Sequence, residues 1–357
     1  MNVRQVAALL AFGFGTTAWA QSGVVLSGVA DAAARSVSNQ GSGSIKSLVS
    51  GSNATSRLVF RGTEDLGGGL VAGFWLESGI ALDNGNSTGG TQFFDRRSVV
   101  SLASNKMGEV RLGRDYVPTY TAWVRHDPFS HVGVAGSNNF AGSGPTGPIR
   151  AAFATNANTT VRASNSAQAL LPSGLGGLEG ALMVSAGEGG TAANGFNKYT
   201  GGRLGWASGP FGVVAASSET TNDLTGRSNK FKDTVIGGNA GFGDLKLTAA
   251  WRQFKFTSAK QTNTLIGATY TIGLNELKAS YVRGNLAGRV GSTNIDANDA
   301  TQIGLGYIYN LSKRSALYAT VSRIDNDGAA NFVIPGGPAL VAGRTSTGYE
   351  AGFRHSF

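Results

Sequence analysis

The sequence predicts an all-β protein: a 16-stranded antiparallel transmembrane β-barrel with short turns at one end and long loops at the other. Three observations predict it. Apolar and polar residues alternate with a period of two in run after run, the pattern of a half-buried strand. Glycine is abundant, 54 of 357 residues against 8 prolines, and shows no three-residue period. Short glycine-rich turns alternate with longer polar connections along the whole chain, the pattern expected of an outer-membrane barrel.

The first twenty residues stand apart. Arg4 is their only charge, an apolar run covers 6–15, and Ala18 and Ala20 form a small-x-small cleavage site. This reads as a secretory signal peptide over 1–20, with the barrel domain occupying 21–357. Removing Arg4 takes the formal charge from +9 to +8. The chain has no cysteine, so an exported fold must do without disulfides. No later stretch approaches the ~18 apolar residues of a membrane helix.

The strands follow in order. In 23–35, Val24, Leu26, Gly28, Ala30 and Ala32 share one parity, against Val25, Ser27, Asp31 and Arg35. In 56–64, Leu58 and Phe60 oppose Arg57, Val59 and Arg61. In 70–78, Leu70, Ala72, Phe74 and Leu76 oppose Val71, Trp75 and Glu77. Tight turns at 64–69, 104–108, 172–177, 208–210, 241–244, 272–275 and 310–313 join the later runs in pairs, and 345–357 is the last strand. Long connections are expected at 39–53, 83–90 and 327–344.

Lipid offers no water to unpaired backbone groups, so the first and last strands must pair and close the barrel. That places Phe357 on the closing strand at the membrane interface, where aromatic rings are favoured. An arginine on the lipid face near the midplane costs about 2–4 kcal/mol, so Arg57 and Arg61 must point inward and Leu58 and Phe60 outward. A barrel of this width leaves an aqueous channel.

The stretches 56–70 (SRLVFRGTEDLGGGL), 108–118 (GEVRLGRDYVP), 162–166 (RASNS) and the terminal GFRHSF at 352–357 carry a resemblance over the whole mature chain. They are similar to the general porins of beta-proteobacteria, the Bordetella, Burkholderia and Comamonas group. The resemblance implies a homotrimer and an inward-folded third loop, here about 116–150, that narrows the pore. It implies anion preference through inward arginines: Arg57, Arg61, Arg96, Arg97, Arg111 and Arg162. It places Asp115, Arg125 and Asp127 at the constriction loop. It also implies that assembly machinery in the outer membrane reads a terminal signature of Tyr349, Phe353 and Phe357. Expected surroundings are outer-membrane lipid and lipopolysaccharide, with small inorganic and organic ions as cargo. The acidic motif common in the family's constriction loop is missing, and Asp127 is the only acid in 127–148.

Other function classes find less support. The basic residues are scattered singly, unlike a nucleic-acid surface. His126, Asp127 and Ser130 are neighbours in sequence, but no nucleophile-elbow frame surrounds Ser130, so no enzyme is expected. With no cysteine and three histidines, no zinc site and no cofactor are expected. Loop-bound Ca²⁺ at 83–86 or 325–327 is the one metal reading left. The leading function is a passive diffusion channel for small hydrophilic solutes. The alternatives are a substrate-specific channel with Trp123, Phe129 and Phe140 as a binding track, or a surface adhesin using the 327–344 loop.

Overall fold

A computed structural model of the chain describes residues 23–142, 146–154, 158–187, 197–222 and 229–357. The signal peptide with Ala18 and Ala20 lies outside these residues. The strands run β1 (Val24–Asn39), β2 (Gly43–Ser50), β3 (Arg57–Gly67), β4 (Leu70–Gly79), β5 (Arg97–Ser104) and β6 (Gly108–Tyr116). A long loop then carries helices α1 (Pro118–Val124) and α2 (Pro148–Phe153), with a 3-10 turn at Ser137–Phe140 between them. β7 (Arg162–Leu170), β8 (Leu178–Ser185), β9 (Lys198–Ser208), β10 (Phe211–Asn222), β11 (Asn229–Phe242) and β12 (Leu245–Phe256) follow. The chain continues through β13 (Ala259–Ile272), β14 (Asn275–Ala287) and a loop hairpin of β15 (Arg289–Val290) and β16 (Thr293–Asn294). β17 (Ala300–Asn310), β18 (Ser315–Asn326) and β19 (Ser346–Ser356) complete the sheet.

β2 and β3 both pair with β1, one with its upper half and the other with its lower half, so together they make one wall position. Counting them once gives the closed 16-strand antiparallel barrel. The break between them has a local cause. The carboxylate of Asp31 accepts the N–H groups of Asn53 and Ala54 at 2.8 and 2.6 Å, drawing 51–56 inward. The connection expected over 39–53 is therefore mostly strand. The β12–β13 connection is also shorter than the alternation suggests. It is a two-residue turn, Thr257–Ser258, on the long-loop side.

β19 closes on β1 with Ala34 opposite Ala351. Beyond the last registered pair, Gly28 and Phe357 exchange backbone hydrogen bonds at 3.0 and 3.1 Å. A Cβ on Gly28 would stand 2.5 Å from the Phe357 ring, so the ring lies across the glycine. The Phe357 ring thus covers the seam between β1 and β19. Tyr349, Phe353 and Phe357 are all exposed on the outer face. Gly28→Val is expected to displace the ring and to crowd the Arg57 carbonyl oxygen, also 2.5 Å from that Cβ, destabilising the barrel by about 1–3 kcal/mol. The unfolding temperature of the detergent-solubilised barrel checks it, and a Phe357→Ala barrel that unfolds at the parent's temperature removes the ring's sealing role.

The outer face is apolar on a single parity: Leu102, Leu112, Leu204, Ile236, Ile266 and Leu305 are all exposed. The inner parity is polar, except where loops fill the lumen. The main buried cluster joins Trp123, Val134 and Phe140 of the α1–α2 loop to Phe332 and Ile334. Phe140 and Phe332 stack with centroids 4.8 Å apart. Part of the 327–345 connection thus folds inward onto the third loop through Phe332 and Ile334, while Val341 stays exposed.

Candidate functional site

Parity and register build one arginine-rich wall inside the barrel. On β3, Arg57 and Arg61 point inward. Arg61 sits opposite Trp75 of β4, and Trp75 opposite Val99 of β5. Arg97 sits opposite Glu77, and Arg111 of β6 opposite Ser101. Arg162 begins β7 opposite Tyr116.

Two aromatic rings and three carboxylates hold the guanidiniums. Tyr116 has Arg162, Arg97 and Arg96 over its ring at 4.7, 5.3 and 6.0 Å. Its hydroxyl accepts from Arg96 Nη2 at 2.8 Å and from Arg162 Nη2 at 3.3 Å. Trp75 carries Arg97 at 4.8 Å and Arg61 at 5.8 Å. Glu77 Oε1 pairs with Arg96 at 2.6 Å and with Arg57 at 3.7 Å. Glu77 Oε2 accepts from Trp75 Nε1 at 3.1 Å. Asp115 takes Arg97 at 2.7 Å and Arg111 at 3.3 Å, and Glu109 takes Arg111 at 2.8 Å. All six arginines named from the sequence thus come together. Six guanidiniums face three carboxylates, so the wall keeps three positive charges in excess. Below it, Arg61, Trp75, Arg97, Glu109 and Arg111 line a lumenal recess of about 380 Å³.

The sequence reading missed Glu77, Glu109, Trp75 and Tyr116 as members of this site. Trp75 and Glu77 share the inward parity of their strand, as do Glu109 and Arg111 of theirs, so a parity search for acids would have found the partners. Tyr116 carries no such signal.

The loop residues depart from expectation. Asp115 lies within β6, not the loop, and is buried at 1% exposure beneath Arg97 and Arg111. Asp127 is also buried. Its carboxylate accepts the backbone N–H groups of Phe129, His131 and Ser137 at 2.8, 3.0 and 2.8 Å, so it shapes the loop and presents no charge to the lumen. Asp127 is the only acid between 117 and 161, so no carboxylate of this loop faces the arginine wall. Arg125 is exposed and pairs with Glu179, which also takes Arg203 at 3.0 Å. Trp123, Phe129 and Phe140 are buried against the wall and form no lumenal track. Both ring nitrogens of His126 lack hydrogen-bond partners among the described residues, so His126, Asp127 and Ser130 form no relay. Of the two candidate calcium stretches, 83–86 is a turn in which Asn84 Oδ1 accepts from Asn86 N–H at 2.9 Å. In 325–327, Asp325 is taken by Arg323 and Thr345.

Burial pushes the His131 imidazole down to about 3 and the His126 imidazole down to about 4, with Arg252 and Arg162 adding to the first and Arg125 and Lys246 to the second. A histidine depressed in the fold contributes stability that is complete above its ordinary value, about 6.5, and is lost as pH falls toward the folded value. Burial raises Asp127, which works in the opposite sense. Loop docking is therefore expected to weaken between pH 6.5 and 4, by up to about 2–3 kcal/mol per histidine at pH 4.5 before the Asp127 offset. Channel noise and mean conductance at pH 7 and 4.5 check this. A pH response unchanged in a His131→Gln variant would assign it elsewhere.

Comparison with known proteins gives a consistent answer. A family model described as Gram-negative porin matches residues 6–329. Outer membrane porin protein 32 of Delftia acidovorans is 34% identical over 95% of this chain and 95% of its own. An outer membrane porin protein of Bordetella pertussis is 39% identical over 82 residues, 23% of this chain and 21% of its own. Among solved structures, the anion-selective porin from Comamonas acidovorans superposes with a TM-score of 0.80 at 33% identity, covering 94% of this chain and 100% of that one. Salmonella typhi OmpF, at 15% identity and a TM-score of 0.63 over 94% of this chain and 98% of that one, shares the fold. With its closed barrel, its inward-folded third loop and these matches over most of its length, the chain belongs to the Gram-negative porin family and is a channel of the outer membrane.

Proposed function

We propose that this channel passes small hydrophilic solutes by diffusion with a preference for anions, set by Arg57, Arg61, Arg96, Arg97, Arg111 and Arg162. The observation that carries this is the one-sided wall: three positive charges in excess, with no acid of the third loop facing them. Its own carboxylates immobilise the guanidiniums while leaving the excess, and a narrow aqueous passage beside fixed charge concentrates counter-ions. Transport here needs no catalytic chemistry. In planar bilayers, exchanging K⁺ for Li⁺ should change conductance little, whereas exchanging Cl⁻ for a bulky anion should lower it several-fold. The reverse pattern would overturn the anion reading.

The assembly that fits is a homotrimer. β5 and β8 have 8 residues and β6 and β7 have 9, against 14 in β11 and β13. Spanning the hydrocarbon layer takes about 9–11 tilted residues, so β5 and β8 fall short, β6 and β7 only just reach, and the β5–β8 wall is the low side of the barrel. Neighbouring subunits would cover it. Conductance steps arriving in threes, and cross-links across this wall, would support the trimer; single steps would remove it.

A further inference from the structure

We propose that the outer face of β11–β13 binds the phosphorylated headgroup of an outer-leaflet lipid through Lys232, Lys255 and Lys260. The proposal depends on the barrel standing in the outer membrane with its long loops outward.

The three lysines form one row. Lys232 sits opposite Lys255, and Lys255 opposite Lys260, in consecutive ladders. Neighbouring strands are about 4.8 Å apart, so the row spans about 10 Å. All three side chains are exposed and share the outward parity of Ile236, Trp251 and Ile266. Like charges directly opposite one another in a sheet repel. Glu219 relieves only one end, pairing with Lys232 at 2.9 Å and with Lys230 at 2.6 Å. Lys255 and Lys260 have no ion-pair partner among the described residues. A row of this kind is stable where the surroundings supply anions.

Depth gives the nature of those anions. Up each strand, the outward face changes from apolar (Ile236, Ile266) to hydroxyl or amide (Thr234, Gln253, Thr262) and then to lysine. Lys232 lies four residues beyond Ile236, about 13 Å along the strand, which carries it from hydrocarbon to headgroup level. At the other end of these strands the outward positions are Phe242 and Tyr270, both exposed, with no lysine. The row therefore marks one leaflet. It also lies away from the low β5–β8 wall, on the side a trimer would leave to lipid.

The test measures retention of diphosphoryl lipid A by the folded, detergent-solubilised protein, using native mass spectrometry. The triple variant K232Q/K255Q/K260Q is expected to bind roughly 100-fold more weakly, at about fivefold per lysine, and the triple arginine variant to bind as the parent does. Lipid A stripped of phosphate should bind parent and variant equally weakly. Equal affinity of parent and triple glutamine variant, or no preference of the parent for the phosphorylated lipid, would overturn the proposal. So would displacement of the lipid by equimolar inorganic phosphate, which would make the site one for free anions. The lysines face outward, so conductance of the triple variant in neutral lipid should match the parent's. A parent that binds lipid A without conducting would sink the channel reading and leave this one standing.

Discussion

Replacing Arg61, Arg97 and Arg162 together with glutamine is expected to lower the chloride-over-potassium permeability ratio by about tenfold or more. A unit charge 6 Å from a permeating ion in a water-like dielectric is worth about 0.7 kcal/mol, roughly threefold in local concentration, and three such charges multiply. These three are chosen because none supports the others' carboxylate contacts alone. Arg61 and Arg162 have no salt-bridge partner among the described residues, and Asp115 keeps Arg111 when Arg97 is lost. Tyr116 and Trp75 keep their places through Arg96 and Glu77. The wall should therefore survive with its sign reduced. Zero-current potentials across a KCl gradient measure the change. An unchanged ratio would mean that selectivity resides elsewhere, for example at Arg125 and Arg203 around Glu179.

Replacing Trp123 with alanine is expected to release the third loop and raise single-channel conductance. The indole is 1% exposed and donates from Nε1 to Ser137 Oγ at 2.9 Å. The same hydroxyl lies 2.9 Å from His131 Nδ1, so one substitution removes the packing and disturbs the polar hub beneath it. A buried tryptophan truncated to alanine costs about 3–5 kcal/mol, comparable to what holds a loop against a wall. The barrel's backbone ladder is independent of this contact, so its resistance to unfolding in detergent should change little. Higher and noisier conductance from an intact barrel is the expected result. An unaltered trace would mean that the loop is held by its outer contacts, Val134 N–H to Glu350 at 3.1 Å and Asn139 to Gln302 at 2.8 Å.

The barrel was legible in the sequence because lipid imposes a strict rule. Outward positions at the depth of the hydrocarbon layer must be apolar and each ladder must close, so parity at Leu58, Phe60 and Arg61 fixes which side each residue faces. Parity made Arg57, Arg61 and Arg111 legible in the same way, whereas Arg96, Arg97 and Arg162 were named only through the family resemblance. What parity cannot show is how a long segment folds once inside. Asp127 reads as a lumenal acid beside the arginines, yet it spends its carboxylate on three backbone N–H groups. The hydrophobicity of Phe332 and Ile334 gave no sign that the last connection turns inward, because a loop's apolar residues have no periodicity to read. The β2–β3 break was hidden for a third reason. It depends on Asp31, about twenty residues earlier, reaching across to Asn53 and Ala54, a contact that no local pattern encodes.

On the proposed reading, a fixed excess of lumenal guanidinium charge sets the sign of the ions that cross. The most direct measurement is the zero-current potential of the unmodified protein in a neutral planar bilayer under a KCl gradient. The account predicts a potential of the sign that favours chloride, shrinking as salt rises and screening shortens the reach of the wall. A potential favouring potassium would contradict it.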